Sequence, residues 1–151
     1  MYQKILVPID GSATSLRGLE EAIKMGKLTG AKLRLIHVID ELSFALSTGY
    51  GLSYTGDIVG LLREAGSDIL MKGHAHVQES GLEVDTVLND SFTGRVSDIV
   101  SAEVTSWGAD LLVLGTHGRR GVGRLLMGSD AENIIRVATV PLLLLRAKST
   151  P

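Results

Sequence analysis

Five short apolar runs are spaced along the chain, and each has the length of a β-strand. They span Ile5–Ile9, Leu33–Ile39, Val84–Leu88, Leu111–Leu114 and Leu142–Leu145. The first, fourth and fifth runs are almost continuously hydrophobic, which is the pattern of strands covered on both faces. The stretches between the runs carry apolar side chains at helical spacing. Strand and helix therefore alternate, which predicts an α/β fold with an open parallel sheet and helices on both faces.

Apolar stripes at helical spacing mark the faces of the helices that we expect to be buried. The first stripe contains Leu16, Leu19, Ile23 and Gly26, and the second contains Ile58, Leu61, Leu62, Ala65 and Ile69. A third stripe runs from Val96 to Trp107, and a fourth runs from Ala131 to Ala138. The connection Asp40–Asp57 is longer than compact domains usually keep without a function. It is either a lid over a site at the strand ends or a mobile insertion.

Length and composition indicate a single globular domain. The chain has 151 residues, of which 44% are hydrophobic and 21% are charged, as is usual for one domain. We assign residues 1–147 to this domain and expect residues 148–151 to form a flexible tail. Fifteen basic and seventeen acidic side chains give a net charge of −2. This balance argues against a nucleic-acid binder or a polybasic membrane anchor.

Cysteine is absent from the chain, which excludes thiolate nucleophiles, disulfides and cysteine-ligated metals. None of the apolar runs approaches the roughly 20 residues that span a bilayer. The amino terminus shows no hydrophobic signal region with a cleavage site. We therefore expect a cytoplasmic protein with no membrane partner.

Polar residues follow the predicted strands at the ends where open parallel sheets bind ligands. They are Asp10–Ser12, Asp40, Asn89–Asp90 and a glycine-rich stretch that begins at Gly115. Residues 115–128 contain five glycines and three arginines, and no acid occurs before Asp130. Glycines let backbone N–H groups approach an anion, and a helix starting near Ser129 offers further N–H groups. Either this stretch binds phosphate, or it is a turn with solvated arginines followed by a Ser129–Glu132 capping box.

The glycine-rich stretch has the spacing Gly115-x2-Gly118-x9-Gly128-Ser129, which is that of the ATP-binding universal stress proteins. The segments Lys4–Ser12, Ala109–Leu114 and Val140–Arg146 are also similar to that family and occur in the same order. The chain thus resembles a universal stress protein over nearly its whole length. The resemblance implies a single Rossmann-like domain with a five-stranded parallel sheet of order 3-2-1-4-5.

The resemblance also implies which residues contact an adenine nucleotide. Pro8, Ile9 and Asp10, at the end of the first strand, would hold the adenosine portion, and the backbone near Val38 would read the adenine edge. The ribose and phosphates would be surrounded by Gly115, Thr116, His117, Gly118 and Arg119. The phosphates would be closed in by Gly128, Ser129 and Asp130. The implied ligand is ATP or another adenine nucleotide, with Mg²⁺ or Mn²⁺ held through its phosphates.

Asp130 departs from the family pattern, which commonly has an uncharged residue at this position. A carboxylate beside a triphosphate repels it unless a divalent cation bridges the two. Alternatively, Asp130 only complements the positive end of its helix. His37 lies inside the second strand, and we interpret it as a half-buried histidine with a hydrogen-bond partner rather than as a ligand.

We expect a nucleotide-binding stress-response or signalling protein that acts as a ligand-dependent switch and not as an enzyme. The alternative is a slow ATPase or nucleotidyl transferase on the same scaffold, for which Asp10, His117 or Asp130 could serve as the base. A phospho-acceptor receiver is disfavoured because it needs paired acids after the first strand. The resemblance implies a homodimer that forms through the last strand, Leu142–Leu145.

Overall fold

The computed structural model describes residues 1–39, 58–116 and 129–146. Within these ranges five strands and four helices alternate along the chain. The strands are β1 (Lys4–Pro8), β2 (Lys32–Val38), β3 (Val84–Asn89), β4 (Leu111–Gly115) and β5 (Leu142–Leu145). The helices are α1 (Ala13–Thr29), α2 (Ile58–Glu79), α3 (Val96–Trp107) and α4 (Ser129–Val137). The connection Asp40–Asp57, residues 117–128 and the tail 148–151 lie outside the described residues.

The five strands form one sheet in the order β3-β2-β1-β4-β5, and all neighbouring strands are parallel. This confirms the predicted fold class and strand order. Ile5 of β1 pairs with Leu33 on one side and with Leu111 on the other. β1 is therefore the central strand, and its side chains are fully buried from Ile5 to Val7.

Two hydrophobic cores cover the two faces of the sheet. Because side chains alternate across a strand, Ile5 and Val7 enter the core beneath α1 and α2, whereas Leu6 enters the core beneath α3 and α4. Leu19 of α1 belongs to the first core and Ile134 of α4 to the second. None of the helices in the described ranges is long and apolar enough to cross a membrane.

The buried face of α2 differs from the predicted one. Leu61 is 57% exposed and Ala65 is also exposed. The residues that are buried instead are Gly66, Leu70, Gly73 and Val77. They follow helical spacing, but glycine carries no hydrophobic signal, so the pattern of apolar residues pointed to a neighbouring face. The glycines bring the α2 backbone close to the sheet, because a side chain at Gly73 would lie 2.9 Å from Leu35.

Strand β5 is less buried than its continuously apolar sequence predicts. Leu142, Leu143 and Leu145 are half-buried, and Leu144 is exposed. The reason is its place in the sheet, because β5 is an edge strand that pairs with β4. Leu16 of α1 likewise belongs to a predicted buried stripe and is 50% exposed.

Charged side chains cluster near the amino edge of the sheet, away from the strand ends predicted to bind a ligand. Arg34 donates to both carboxylate oxygens of Asp85, at 2.6 and 3.1 Å, and to Glu103 at 2.7 Å. Its guanidinium also lies over the ring of Trp107, 4.6 Å from the centroid. Hydrogen bonds from Arg34, followed by those from Lys32, lower the pKa of Asp85 against the opposing effect of burial.

Acidification is expected to remove the stabilisation that Asp85 provides. Its pKa is lower in the folded protein, so the contribution is complete above the unfolded pKa of about 3.9 and is lost as the pH falls through the folded value. Asp85→Asn should therefore be less stable than the wild type at neutral pH by about 1 kcal/mol, a modest figure because the side chain is partly exposed. The two proteins should converge below the folded pKa. Denaturant unfolding followed by the fluorescence of Trp107, the single tryptophan, measures this; an undiminished difference in acid would contradict a role for the charge.

Candidate functional site

Six of the predicted site residues lie at the carboxyl edge of the sheet. They are Pro8, Ile9, Asp10, Val38, Gly115 and Thr116. Because β2, β1 and β4 are adjacent and parallel, their ends lie side by side, about 4.8 Å apart. Ser129 and Asp130 begin α4, which returns the chain from this edge to β5. The remaining predicted residues, His117, Gly118, Arg119 and Gly128, lie outside the described residues.

The turn between β1 and α1 is fixed by three hydrogen bonds among Asp10, Ser12 and Ser15. The carboxylate of Asp10 accepts from the N–H of Ser12 at 2.9 Å, and the hydroxyl of Ser12 accepts from the N–H of Ser15 at 3.1 Å. The hydroxyl of Ser15 in turn accepts from the N–H of Asp10 at 3.1 Å. Gly11 has a φ of +83°, which glycine adopts without strain. The sequence therefore orients the Asp10 carboxylate by its own neighbours.

Gly115 is required where β4 meets the first turn of α1. A Cβ atom at this position would lie 2.8 Å from the carbonyl carbon, the oxygen and the Cγ2 atom of Thr14. Gly18, one turn further along α1, faces the N atom of Gly115 with room for a Cβ at 3.4 Å. Gly115 was predicted to surround the ribose and phosphates, and the structure adds a packing role that its spacing in the motif does not reveal.

Thr116 joins β4 to the edge strand. Its N–H donates to the carbonyl oxygen of Leu145 at 2.9 Å, and its hydroxyl donates to the same oxygen at 3.3 Å. The residue is only 3% exposed. Thr116 thus lies at the predicted edge, but its hydroxyl contributes to the β4–β5 junction.

The first turn of α4 is acidic. It contains Asp130 and Glu132, and Ser129 is the first residue of the helix. The carboxylate of Glu132 accepts from Arg136 at 2.9 Å, one turn later, which is not the capping-box arrangement predicted as the alternative for Ser129 and Glu132. Two acids at a helix amino terminus complement its positive end. A carboxylate at the position of Asp130 also makes the same end less attractive to a phosphate.

The polar residues that end β3 stabilise the β3–α3 connection. The carboxylate of Asp90 accepts from Arg63 of α2 at 2.7 Å, and the side chain of Asn89 accepts from the hydroxyl of Ser91 at 2.9 Å. Phe92 has a φ of +59°, an uncommon conformation for a bulky residue, and Arg63 lies 5.9 Å from its ring centroid. Asp90 is therefore ion-paired just after β3, the outermost strand on this side of the sheet.

His37 lies next to the predicted site and is buried, with 9% exposure. Its Nδ1 atom lies 2.8 Å from the carbonyl oxygen of Ile9. This confirms the interpretation of His37 as a histidine with a hydrogen-bond partner, although it is more buried than expected. The sequence did not reveal that this partner would be a residue of the site.

The described part of the edge offers hydrogen-bonding groups rather than a cluster of metal ligands. In residues 1–39, 58–116 and 129–146, no group of three or more histidine, aspartate or glutamate side chains could hold a metal ion. The polar groups at this edge include the Asp10 carboxylate, which accepts from the N–H of Ser12, and the backbone at the ends of β1 and β2. Pro8 and Val38, which are half-buried, add apolar surface. Such an edge can recognise a flat, partly apolar ligand that carries hydroxyl groups.

Sequence comparison finds the same family over almost the entire chain. The model of the universal stress protein family matches residues 1–146. The universal stress protein MJ0531 of Methanocaldococcus jannaschii is 33% identical over 149 residues, which cover 97% of this chain and 83% of that protein.

Solved structures share the fold. The hypothetical protein MJ0577, whose structure was used to assign a biochemical function, superimposes with a TM-score of 0.84 at 24% identity and 99% coverage of both chains. A universal stress protein from Archaeoglobus fulgidus in complex with dAMP has a TM-score of 0.70 at 20% identity, with 95% and 98% coverage of the two chains. A universal stress protein in complex with cAMP has a TM-score of 0.67 at 21% identity, with 96% and 97% coverage.

Gly115→Ala is expected to destabilise the protein by about 2–3 kcal/mol, because the added methyl group overlaps backbone atoms of Thr14 that move only with α1. Gly18→Ala is the matched control on the opposite side of the same contact. There the methyl group fits, and alanine favours the helix, so stability should be unchanged or higher by up to about 1 kcal/mol. Denaturant unfolding of both variants tests the contact. A Gly115→Ala protein as stable as the control would show that α1 and β4 are not held together this closely.

Proposed function

The chain belongs to the universal stress protein family, and from this premise we propose that it binds an adenine nucleotide at the carboxyl edge of β1, β2 and β4. The family match over residues 1–146 confirms the resemblance that the glycine spacing indicated. Two structural neighbours were solved in complex with dAMP and cAMP. These complexes support an adenine nucleotide as the ligand class.

The oriented carboxylate of Asp10 is the observation that supports this proposal best. An ionised carboxylate accepts hydrogen bonds, and the hydroxyl groups of a ribose donate them. Because Ser12 and Ser15 hold the β1–α1 turn in place, Asp10 needs little ordering when a ligand arrives, and preorganisation of this kind favours affinity. The adenosine portion would therefore lie at the end of β1.

The adenine ring would lie between the ends of β1 and β2. Pro8 and Val38 are half-buried and present apolar surface at this part of the edge, whereas Ile9 is 6% exposed and belongs to the core beneath it. A purine needs apolar surface and backbone polar groups, because its faces are apolar and its edge carries donors and acceptors. We assign recognition of the adenine edge to the backbone near Val38.

The acidic first turn of α4 affects whether the site binds a nucleoside monophosphate or a triphosphate. Asp130 lies in this turn, and its carboxylate opposes a phosphate that approaches the same helix end. The charge of Glu132 is paired with that of Arg136. A nucleoside monophosphate carries less charge than ATP and meets less repulsion. We therefore propose that AMP binds without a divalent cation, whereas ATP binds well only with Mg²⁺ or Mn²⁺ held through its phosphates. His117, Gly118, Arg119 and Gly128 are assigned to the phosphates by family resemblance.

We propose that the bound nucleotide acts as a switch and is not turned over rapidly. Rapid phosphoryl transfer needs a positioned base for water and charge stabilisation aimed at the transition state. We assign the carboxylate of Asp10 to the ribose rather than to an attacking water, and Asp130 lies in the first turn of a helix. Occupancy by the ligand, rather than catalysis, would then change the state of this stress protein.

Titration calorimetry on protein freed of nucleotide tests the proposal. AMP and ATP with Mg²⁺ should both bind, and ATP without a divalent cation should bind more weakly. Asp130→Asn removes one negative charge, so it should tighten metal-free ATP by about threefold to tenfold and change AMP much less. Nucleotide recovered afterwards should be intact.

Replacing Gly118 by Leu is the loss-of-binding control, since the family pattern puts a phosphate contact there. Absence of heat with every adenine nucleotide, in protein shown to be folded and ligand-free, would contradict the proposal. Rapid release of phosphate that Asp10→Asn or Asp130→Asn abolishes would identify the alternative, an ATPase on the same scaffold.

We also propose that two copies of the chain pair through β5. Among the described residues, β5 forms ladder contacts with β4 alone, and its apolar side chains are half-buried or exposed. An apolar edge strand with unpaired backbone groups is a template for a second strand. Antiparallel pairing of two β5 strands would give a twofold dimer in which each copy covers the β5 edge of the other.

Leu144→Lys is expected to convert the dimer to a monomer, because a charge on an edge strand opposes pairing with its own copy. Leu28→Lys is the matched control, since Leu28 is 81% exposed near the end of α1. Light scattering coupled to gel filtration should give a dimer for the wild type and the control and a monomer for Leu144→Lys. A wild-type monomer, or a dimer that survives Leu144→Lys, would contradict pairing through β5.

A further inference from the structure

His37 lies between helix α2 and Ile9, at the carboxyl edge of the sheet. Its Nδ1 atom lies 2.8 Å from the carbonyl oxygen of Ile9. That oxygen can only accept, so Nδ1 must carry the hydrogen. The imidazole therefore donates to Ile9, the residue between the end of β1 and Asp10. The N–H of Ile9 donates to the carbonyl oxygen of Ile36 at 2.9 Å, so both polar groups of the Ile9 backbone are held by β2.

The other side of the imidazole is packed against Gly66 of α2. A Cβ at Gly66 would lie 2.7 Å from the Cδ2 atom of His37 and 2.9 Å from a methyl group of Leu88. Only a residue without a side chain lets α2 approach the ring this closely. The ring is thus confined between the end of β1 and the helix backbone, and it has little freedom to turn away from Ile9.

We propose that His37 is a positioning residue of the nucleotide site. It sets the place of the Ile9 carbonyl, and through it the place of Asp10, the next residue, without contacting the nucleotide itself. Gly66 supports this role by leaving room for the ring. The inference rests on the proposed function, because it assigns to His37 the geometry of the edge at which the adenosine portion would bind.

Two substitutions at His37 distinguish the effect of its hydrogen bond on AMP binding from the effect of its side-chain volume. In His37→Asn the amide nitrogen occupies the place of Nδ1 and can still donate to Ile9. In His37→Leu a side chain of similar bulk has no donor. If the donor positions the site, His37→Leu should weaken AMP binding by about tenfold, and His37→Asn should stay within about threefold of the wild type.

Gly66→Ala tests whether the close approach of α2 holds the His37 ring in place. The added methyl group must displace the His37 ring or α2, so AMP binding should weaken although neither residue contacts the ligand. Gly26→Ala is the matched control, because its methyl group would lie 2.8 Å from Leu82 and 3.0 Å from Leu33, near the opposite edge. It should destabilise the fold similarly and leave AMP affinity unchanged, which separates positioning from general loss of stability.

A second readout uses no nucleotide. In amide NMR spectra of the ligand-free protein, His37→Leu and Gly66→Ala should shift the signals of Asp10 and Ser12, whereas Gly26→Ala should not. The inference would be overturned, and the proposed function left intact, if the wild type binds AMP and His37→Leu shows unchanged Asp10 signals and unchanged AMP affinity. Equal losses in His37→Asn and His37→Leu would also overturn it, because the donor would then be irrelevant. A wild type that binds no adenine nucleotide would remove the proposed function and this inference together.

Discussion

The close contact between the first turn of α1 and the end of β4 determines the shape of the carboxyl edge. In a parallel sheet of order 3-2-1-4-5, the chain leaves the central strand directly beside β4. Gly115 permits this because any side chain there would overlap Thr14. Asp10 is positioned by the same turn, since it forms hydrogen bonds with Ser12, which caps α1, and with Ser15 in the first turn of α1. Packing and the proposed recognition of a nucleotide therefore depend on the same few residues.

The two edges of the sheet are stabilised by different kinds of interaction. Near the amino edge, Arg34 connects β2, β3 and α3 through two carboxylates and the ring of Trp107. At the carboxyl ends of β1 and β4, neutral hydrogen bonds and glycine contacts hold the chain, and the carboxylate of Asp10 is oriented by backbone N–H donation. The Asp90–Arg63 ion pair at this edge lies beyond them, at the end of β3. The oriented carboxylate of Asp10 can accept hydrogen bonds from a ligand. We infer that the amino edge mainly stabilises the fold and that the carboxyl edge carries the function.

Much of this could be predicted from the sequence, because apolar runs and glycine spacing report local preferences directly. The five strands and the parallel sheet followed from the apolar pattern, and the family followed from the glycine spacing and the similar segments. The strand order followed from the family resemblance. The buried face of α2 did not, because Gly66 and Gly73 are buried without being hydrophobic. The packing role of Gly115 and the hydrogen bond between His37 and Ile9 depend on which elements meet in three dimensions. Neither is visible in residue spacing, since each joins residues far apart in the chain.

The central claim is that the carboxyl edge of β1, β2 and β4 binds an adenine nucleotide. An amide NMR titration of the ligand-free protein with AMP tests this claim most directly. The account predicts saturable shifts for the amides of Ile9, Asp10, Val38 and Thr116. The amides of Arg34 and Asp85, near the opposite edge, should not move. Shifts confined to residues away from the carboxyl edge, or no shifts at saturating AMP, would contradict it.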